Sequence, residues 1–255
     1  MDRTRTVPGA ADDILRALES FGLAWDGPVA IQTEHEERYA AALQQLQTSG
    51  LAFRCTCSRT EIARHASRSG LYPGTCRSRQ IPADRDSAIR LIVPDQVVTV
   101  QDDLQGEYRQ NLAADVGDFV IRRRDGLFAY HLATAVDDAD LGVTEVMRGV
   151  DLLESTPRQI YVQRSLGLPT PAYAHLPVLI DASGQKLSKQ NGAMAVDRRN
   201  AAGVLFELLK RLAQYPPEEL RGAAVDALLQ WAVAHWNTAG LQGIAMISGK
   251  TLAGI

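Results

Sequence analysis

Apolar residues recur every three or four positions near the start of the chain, a spacing that predicts amphipathic helices. One helix is predicted within residues 7–23 and a second within residues 34–50; each ends at a glycine and is expected to place one apolar face on a core. Ser58 and Glu61 have the spacing of a capping box, which predicts a helix that begins just after Cys57. Similar patterns predict a helix that begins at Tyr130 and further helices over residues 155–167, 201–212 and 223–235. Ser155 is expected to cap the helix over 155–167 with its hydroxyl.

Runs of branched side chains between these helices predict strands. Residues 90–94 and 97–101 form two such runs, and the Pro-Asp between them indicates a hairpin. Asp125-Gly126 is a typical two-residue turn between alternating strands. No clear period occurs after residue 242, so a loose tail is expected there. Helices and strands together predict an α/β fold.

The composition excludes several classes of protein. Of 255 residues, 45% are hydrophobic and 22% charged, and the formal net charge is −3. These values are ordinary for a globular domain and give no overall basic field for nucleic acid. No apolar stretch has the length of a membrane span, and the first residues lack the apolar region of a signal peptide. We therefore expect a cytoplasmic protein with no membrane partner.

The three cysteines, Cys55, Cys57 and Cys76, lie close together in the sequence. An odd number of clustered cysteines argues against a disulfide framework and favours a metal, because thiolates are preferred ligands of zinc. Zinc takes four ligands, and the chemistry leaves either His65, the more usual type, or Tyr72 as the fourth. The alternative is three small buried thiols under a loop.

A second group of polar residues follows the Asp-Gly turn. Tyr130 opens a helical stretch that carries three aspartates, and residues 144–151 predict a buried strand that ends near Arg148. Ligands of α/β sheets bind at the carboxyl ends of strands. Arg148 is therefore expected to form a bidentate pair with a carboxylate, and Tyr130 to add a hydroxyl donor. The alternative is a structural ion pair of Arg148 with Asp138 or Asp151.

Residues 176–180 predict another buried strand, followed by a turn from Asp181 in which Gly184 takes a positive φ. Lys186 and Lys189 come next, on the same loop. Two ammonium groups beside a buried strand suit a polyphosphate, since each is a compact charge with rotatable donors. The alternative is an exposed turn that happens to hold two lysines.

The sequence His-Leu-Pro before this strand and Gly-Gln-Lys-Leu-Ser-Lys after it resembles the K-M-S-K-S loop of class I aminoacyl-tRNA synthetases, in the K-L-S-K form of the glutamyl enzymes. The chain is similar to that type from near its first residue to about position 238. It is most similar to the glutamyl-Q tRNA(Asp) synthetases, the short paralogues of glutamyl-tRNA synthetase. Two features favour the paralogues: C-x-C followed by Tyr-x-x-x-Cys, and a segment after Lys189 too short for a helical anticodon-binding domain.

The resemblance implies ATP-dependent, tRNA-independent activation of L-glutamate, with Mg²⁺, and transfer of the glutamyl group to queuosine in the anticodon of tRNA(Asp). It implies that Tyr130 and Arg148 hold glutamate, and that Lys186 and Lys189 are the catalytic lysines that hold ATP. We also expect a monomer. The resemblance further implies one structural zinc ion, with Tyr72 and not His65 as the fourth ligand of the set Cys55, Cys57, Tyr72 and Cys76.

The implied fold is a Rossmann-type class I catalytic domain with a small zinc-bearing insertion and C-terminal helices. The first half of the catalytic domain, the insertion, the second half with the K-L-S-K loop, and the helices with a tail are expected over residues 1–52, 53–115, 116–200 and 201–255. The family's P-S-P-T-G stretch and H-I-G-H-like motif do not occur in these residues. We therefore expect an N-terminally incomplete domain with little or no activity. Competing hypotheses are a catalytically impaired remnant that binds tRNA or is inert, and a fragment of a glutamyl-tRNA synthetase.

Overall fold

The computed structural model describes residues 7–66, 71–187 and 196–249. Helices and strands alternate over most of this part of the chain, as an α/β protein requires. Five short 3₁₀ segments join them, among them Val150–Ser155 after the sixth strand. The α-helices are α1 (Ala10–Ser20), α2 (Glu36–Thr48), α3 (Arg59–His65), α4 (Leu112–Asp115), α5 (Tyr130–Asp140), α6 (Thr156–Leu166), α7 (Ala201–Arg211) and α8 (Val225–His235).

The strands form three sheets. An antiparallel sheet has the order β1-β2-β5, a mixed sheet has the order β4-β3-β7-β6, and β8 pairs with β9. In the mixed sheet β3, β7 and β6 run parallel, and β4 is antiparallel to β3. The strands are β1 (Ala52–Cys55), β2 (Ala88–Leu91), β3 (Val97–Asp102), β4 (Gly106–Asn111), β5 (Phe119–Arg122), β6 (Glu145–Gly149), β7 (Ala172–Leu176), β8 (Val178–Ile180) and β9 (Met246–Ser248).

The main core lies where α2, α5 and α6 cover these sheets. Fully buried side chains come from both helices and strands and include Tyr39, Leu46, Leu91, Ile121 and Leu132. Burying one such side chain stabilises the fold by roughly 1.5–3 kcal/mol. The parallel strands pack against this core, and their carboxyl ends lie at one edge of the mixed sheet.

The helix predictions are largely confirmed, including their ends. Helix α3 begins at a complete capping box, and α6 has Pro157 in its first turn and stops at Gly167, whose φ is 70°. Two details were wrong. The Ser155 side chain makes no capping hydrogen bond, and α1 buries none of its residues, although its apolar face was expected on a core.

The pairing of the strands differs from the prediction in three places. Residues 90–94 and 97–101 do not form a hairpin, because β2 pairs with β1 and β5 while β3 turns back into β4. Pro177 splits the predicted strand over 176–180, since proline has no N–H for the ladder. Its second part, β8, pairs with β9 inside the expected tail.

Strand β6 is half-exposed and not buried as predicted, because it is the last strand of the mixed sheet in the described part of the chain. Strands of the 53–115 segment pair with strands of the 116–200 segment, β2 with β5 and β3 with β7. The division of the chain into four consecutive parts therefore stays a prediction. Within the described residues, no helix has both the length and the apolar character needed to cross a membrane.

Candidate active site and metal-binding cluster

Arg148 and His175 lie side by side on the parallel strands β6 and β7. Both are close to the carboxyl ends of their strands, where α/β sheets bind ligands. The Arg148 Nε–H group donates to His175 Nε2 at 3.1 Å. The sheet thus places Arg148 at the edge that the sequence predicted, with an imidazole as its neighbour.

A buried carboxylate holds the other side of this imidazole. Asp102 ends β3, and its carboxylate oxygens lie 2.5 Å from His175 Nδ1 and 3.1 Å from the His175 backbone nitrogen. Both side chains are 0% exposed. Because an ionised carboxylate only accepts hydrogen bonds, Nδ1 carries the hydrogen and Nε2 offers its lone pair to Arg148.

The pKa values of the pair agree with this arrangement. Burial lowers the pKa of His175, and the positive charge of Arg148 lowers it further, against the opposing effect of Asp102. Burial alone would raise the pKa of Asp102, but hydrogen bonds from His175 and from the Gln105 backbone keep that pKa below its usual value. A neutral imidazole therefore sits between a carboxylate and a guanidinium.

Arg148 gives two of its three nitrogens to uncharged acceptors. Nη2 donates to Thr156 Oγ1 at 2.8 Å and to Gln159 Oε1 at 2.6 Å, while Nε bonds to His175. Nη1 has no acceptor among the residues that the structure describes. A ligand carboxylate can reach Nη1 without disturbing these bonds, whereas the bidentate pair expected from the sequence would require Nη2 to leave Thr156 and Gln159.

A series of hydrogen bonds connects the Tyr130 backbone to Arg148. The Thr134 hydroxyl donates to the Tyr130 carbonyl at 2.9 Å and accepts from Gln159 Nε2 at 2.7 Å, and Gln159 also binds Arg148. Tyr130 is 46% exposed, so a ligand can reach this residue. Asp138 forms no ion pair with Arg148 in the described part of the chain; burial raises the pKa of Asp138, and Arg148 opposes that rise.

Lys186 lies at the same edge of the sheet. Its Nζ is 2.5 Å from Asp151 Oδ2, three positions after Arg148 in the sequence. Asp151 can lie against the end of β6 because residue 149 is glycine: a Cβ there would be 2.5 Å from Asp151 Oδ1. The alternative ion pair of Arg148 with Asp151 is therefore replaced by a pair with Lys186.

The loop that carries Lys186 has the predicted turn. The Asp181 carboxylate accepts the backbone N–H groups of Ser183 and Gln185 at 2.8 and 3.0 Å, and Gly184 has a φ of 81°. An antiparallel bridge between Ile180 and Lys186 returns the chain along β8. Lys189, the second predicted catalytic lysine, lies outside the described residues.

The predicted metal ligands form one compact cluster. The sulfur atoms of Cys55, Cys57 and Cys76 lie within 4.8 Å of one another, and the Tyr72 hydroxyl is 3.4 Å from Cys55 Sγ and 4.0 Å from Cys57 Sγ. Tetrahedral zinc with Zn–S bonds of ~2.3 Å separates its ligands by about 3.8 Å. The four groups fit such a site, whereas His65 is not among the possible ligands grouped there in the described chain.

The thiols of the cluster differ in how readily they ionise. Burial raises the pKa of Cys57 to about 11, and the neighbouring thiols add to the rise. Burial opposes ionisation of Cys76 too, but hydrogen bonds from Tyr72 and from the Thr56 backbone lower its pKa to about 7. Closely spaced thiolates repel one another, and a bound divalent cation would remove the proton from each and relieve that repulsion.

Several residues of the site carried no functional prediction. Asp102, Thr156, Gln159 and His175 are buried polar residues on elements whose other inward positions are mostly apolar. A polar residue at a core position is the sequence signal that could have identified them, because a buried polar group requires a hydrogen-bond partner. The sequence could not name that partner, since the three elements are far apart along the chain.

Comparison with known proteins agrees with this geometry. Residues 1–211 match the family described as tRNA synthetases class I (E and Q), catalytic domain. The chain belongs to this family. The predicted class I catalytic fold, a mixed α/β domain with a parallel sheet, is thereby confirmed.

The chain is also similar to named members of the glutamyl-Q group within these class I synthetases. It is 50% identical to the glutamyl-Q tRNA(Asp) synthetase of Ectopseudomonas mendocina, over 93% of this chain and 79% of the relative. For the enzyme of the same name from Chromobacterium violaceum the identity is 51%, over 93% of this chain and 80% of the relative. The resemblance predicted from the motifs is confirmed.

Among solved structures, a glutamate tRNA ligase from Elizabethkingia meningosepticum has a similar fold. The TM-score is 0.75 at 21% sequence identity, over 98% of this chain. The chain spans 59% of the length of that ligase. At this identity the likeness concerns the class I fold.

Proposed function

We propose that this chain activates L-glutamate with ATP and transfers the glutamyl group to queuosine in the anticodon of tRNA(Asp). The observation that supports it best is that Arg148 and Lys186 lie near the carboxyl ends of β6 and β7. The names of the relatives supply the substrates, and the site supplies groups of matching charge.

In this proposal Arg148 holds a carboxylate of glutamate through Nη1, and the Tyr130 hydroxyl adds a hydrogen bond. The glutamate α-carboxylate attacks the α-phosphorus of ATP, forming a C–O–P link as the bond to pyrophosphate breaks. Lys186 and Lys189 offset the negative charge that grows on the leaving pyrophosphate. Mg²⁺ enters with the triphosphate, and most of the rate enhancement comes from positioning and charge.

We propose that Cys55, Cys57, Tyr72 and Cys76 hold one structural zinc ion. Four ligands close the coordination sphere, which is the arrangement of structural and not of catalytic zinc. The bound ion would fix the segment between β1 and β2 without taking part in the chemistry. Its support is the close approach of three thiols and a phenol from two separate stretches of chain.

The first test is exchange of labelled pyrophosphate into ATP, with glutamate and without tRNA. The missing motifs predict little or no exchange, whereas this proposal predicts glutamate-dependent exchange. Lys189→Ala should lower that exchange by about a hundredfold or more, because one charge-stabilising group is lost. Lys210→Ala is the matched control. Lys210 lies on α7, pairs with Glu218 and has no role in the proposal. Exchange that Lys189→Ala leaves unchanged would refute the role of the loop.

The second test is transfer of labelled glutamate to RNA. We expect label on tRNA(Asp) that contains queuosine and none on the same tRNA without the modified base. Label at the 3′ end of tRNA(Glu) would instead indicate a fragment of a glutamyl-tRNA synthetase. A folded wild-type chain with neither exchange nor transfer would indicate a catalytically impaired remnant.

A further inference from the structure

The Asp102–His175 pair joins the two central strands of the mixed sheet, and His175 accepts a hydrogen bond from Arg148, the arginine of the site. Both side chains are 0% exposed, and together they span β3 and β7 and reach β6. We propose that His175 is a positioning residue that fixes the guanidinium of Arg148 with Nη1 towards the ligand. The identity of that ligand as glutamate depends on the proposed function above.

The direction of the hydrogen bonds explains how this works. Asp102 accepts the Nδ1–H of His175, so Nε2 is left as an acceptor. Arg148 Nε–H donates to it at 3.1 Å, and the Thr156 hydroxyl, which donates to the Leu152 carbonyl at 3.3 Å, lies 3.2 Å away. A protonated His175 would present an N–H donor to the Arg148 Nε–H group and would repel the guanidinium.

Fixing the Nε edge matters because the guanidinium is planar. Once Nε is bonded to His175 and Nη2 to Thr156 and Gln159, the direction of Nη1 follows from the geometry of the group. Without the Nε bond, Arg148 is free to turn towards Asp138, a carboxylate close enough for the charge of Arg148 to act on its pKa. Such an ion pair would occupy the charge that the substrate needs.

The charged and titratable groups that face His175 come from every strand around it. They are Asp102 on β3, Arg148 on β6, Asp151 in the following 3₁₀ turn, and Tyr173 on the same strand, whose ring stacks on the imidazole at 6.1 Å. The net result is a pKa below the usual value for histidine. His175 is therefore neutral at pH 7, and its protonation at lower pH should release Arg148.

The experiment compares two substitutions that keep different halves of the imidazole. His175→Gln can place an amide oxygen near the position of Nε2, while His175→Asn can place a donor near Nδ1 but has no acceptor for Arg148. We expect His175→Asn to raise the KM for glutamate roughly ten- to a hundredfold with a much smaller effect on kcat. His175→Gln should recover most of the loss, and His235→Asn, at an exposed position at the end of α8, is the matched control.

A nuclear magnetic resonance signal gives a readout that needs no substrate. The Nε–H proton of Arg148, assigned with Arg148→Lys, should exchange slowly in the wild type and in His175→Gln, and quickly in His175→Asn. In the wild type the protection of this proton, relative to a free arginine at the same pH, should be lost at low pH together with glutamate affinity. His175→Gln should lack that pH dependence.

An Arg148 signal that is equally protected in wild type and His175→Asn would overturn the positioning role, whatever the activity. If His175→Asn does not fold, the pH dependence of the signal in the wild type and His175→Gln decides the question: a signal independent of pH in both overturns the proposal. A wild type that shows the coupling between His175 and Arg148 but neither binds nor activates glutamate would refute the proposed function and leave the positioning intact.

Discussion

A half-buried ion pair attaches the cysteine cluster to the rest of the fold. Arg77, next to Cys76, donates from Nε and Nη2 to the two oxygens of Asp118 at 2.6 and 2.5 Å. Asp118 precedes β5, and its Oδ1 also accepts the backbone N–H of Val93 at 2.9 Å. We predict that Arg77→Ala destabilises the protein because it leaves the Asp118 carboxylate buried without its counter-charge.

The magnitude follows from the different exposure of the two partners. Removing one partner of a fully buried pair costs roughly 3–5 kcal/mol. Asp118 is 1% exposed, but the Arg77 side chain is 45% exposed, so water already screens part of the interaction. The hydrogen bond from the Val93 N–H to the Asp118 carboxylate also remains in Arg77→Ala. We therefore expect Arg77→Ala to lower the free energy of unfolding by about 2–3 kcal/mol.

Asp118→Asn is expected to cost less, about 1–2 kcal/mol, because the arginine it leaves behind can reach solvent. The double variant should cost less than the two single changes added together, since both remove the same interaction.

The measurement is urea unfolding followed by circular dichroism at pH 7, with the same zinc concentration in every sample. Arg79→Ala is the control, because Arg79 is an exposed arginine of the same segment. The reasoning is refuted if Arg77→Ala costs no more than Arg79→Ala, or if the two single changes are additive.

Three further predictions concern the metal, pH and a helix cap. Tyr72→Phe should lower zinc affinity by more than about tenfold while His65→Ala leaves it unchanged, as measured by competition with a chromophoric chelator; the reverse result would make His65 the ligand. Burial, with Arg158 nearby, lowers the pKa of His131 to about 4, against ~6.5 in the unfolded chain. The free energy of unfolding should therefore fall by at most about 3 kcal/mol as the pH drops from 6.5 to 4, and His131→Asn should reduce that slope in urea titrations at both pH values. Ser58→Ala should cost about 1 kcal/mol and speed amide hydrogen exchange in α3 first, since the hydroxyl accepts the Glu61 N–H at 3.2 Å; unchanged exchange there would refute it.

Local features of the chain could be predicted because their causes are local. The capping box of α3 and the stop of α6 at Gly167 depend on residues a few positions apart. The turn at Gly184 is set in the same way. The partner of each strand depends on residues far away, and the Pro-Asp at position 94 gave the wrong hairpin, since the return of the chain occurs between β3 and β4.

The candidate site shows the same division. Arg148, Lys186 and the cysteines stood out because their side chains suit particular ligands. Asp102 and His175 are 73 positions apart and meet only when β3 and β7 pair. Their polarity at core positions marked them as unusual, but their function as a pair is a property of the sheet.

The partners of the two cations at this edge differ in a way that fits their proposed roles. Arg148 is surrounded by uncharged acceptors, so its positive charge is not neutralised before a substrate arrives. Lys186 pairs with Asp151, and both side chains are more than a third exposed, so that pair is worth no more than about 1 kcal/mol. An arginine that binds the resting substrate needs a fixed, uncompensated charge. A lysine that follows a departing pyrophosphate needs a partner that it can leave at little cost, and the exposed Asp151 is such a partner.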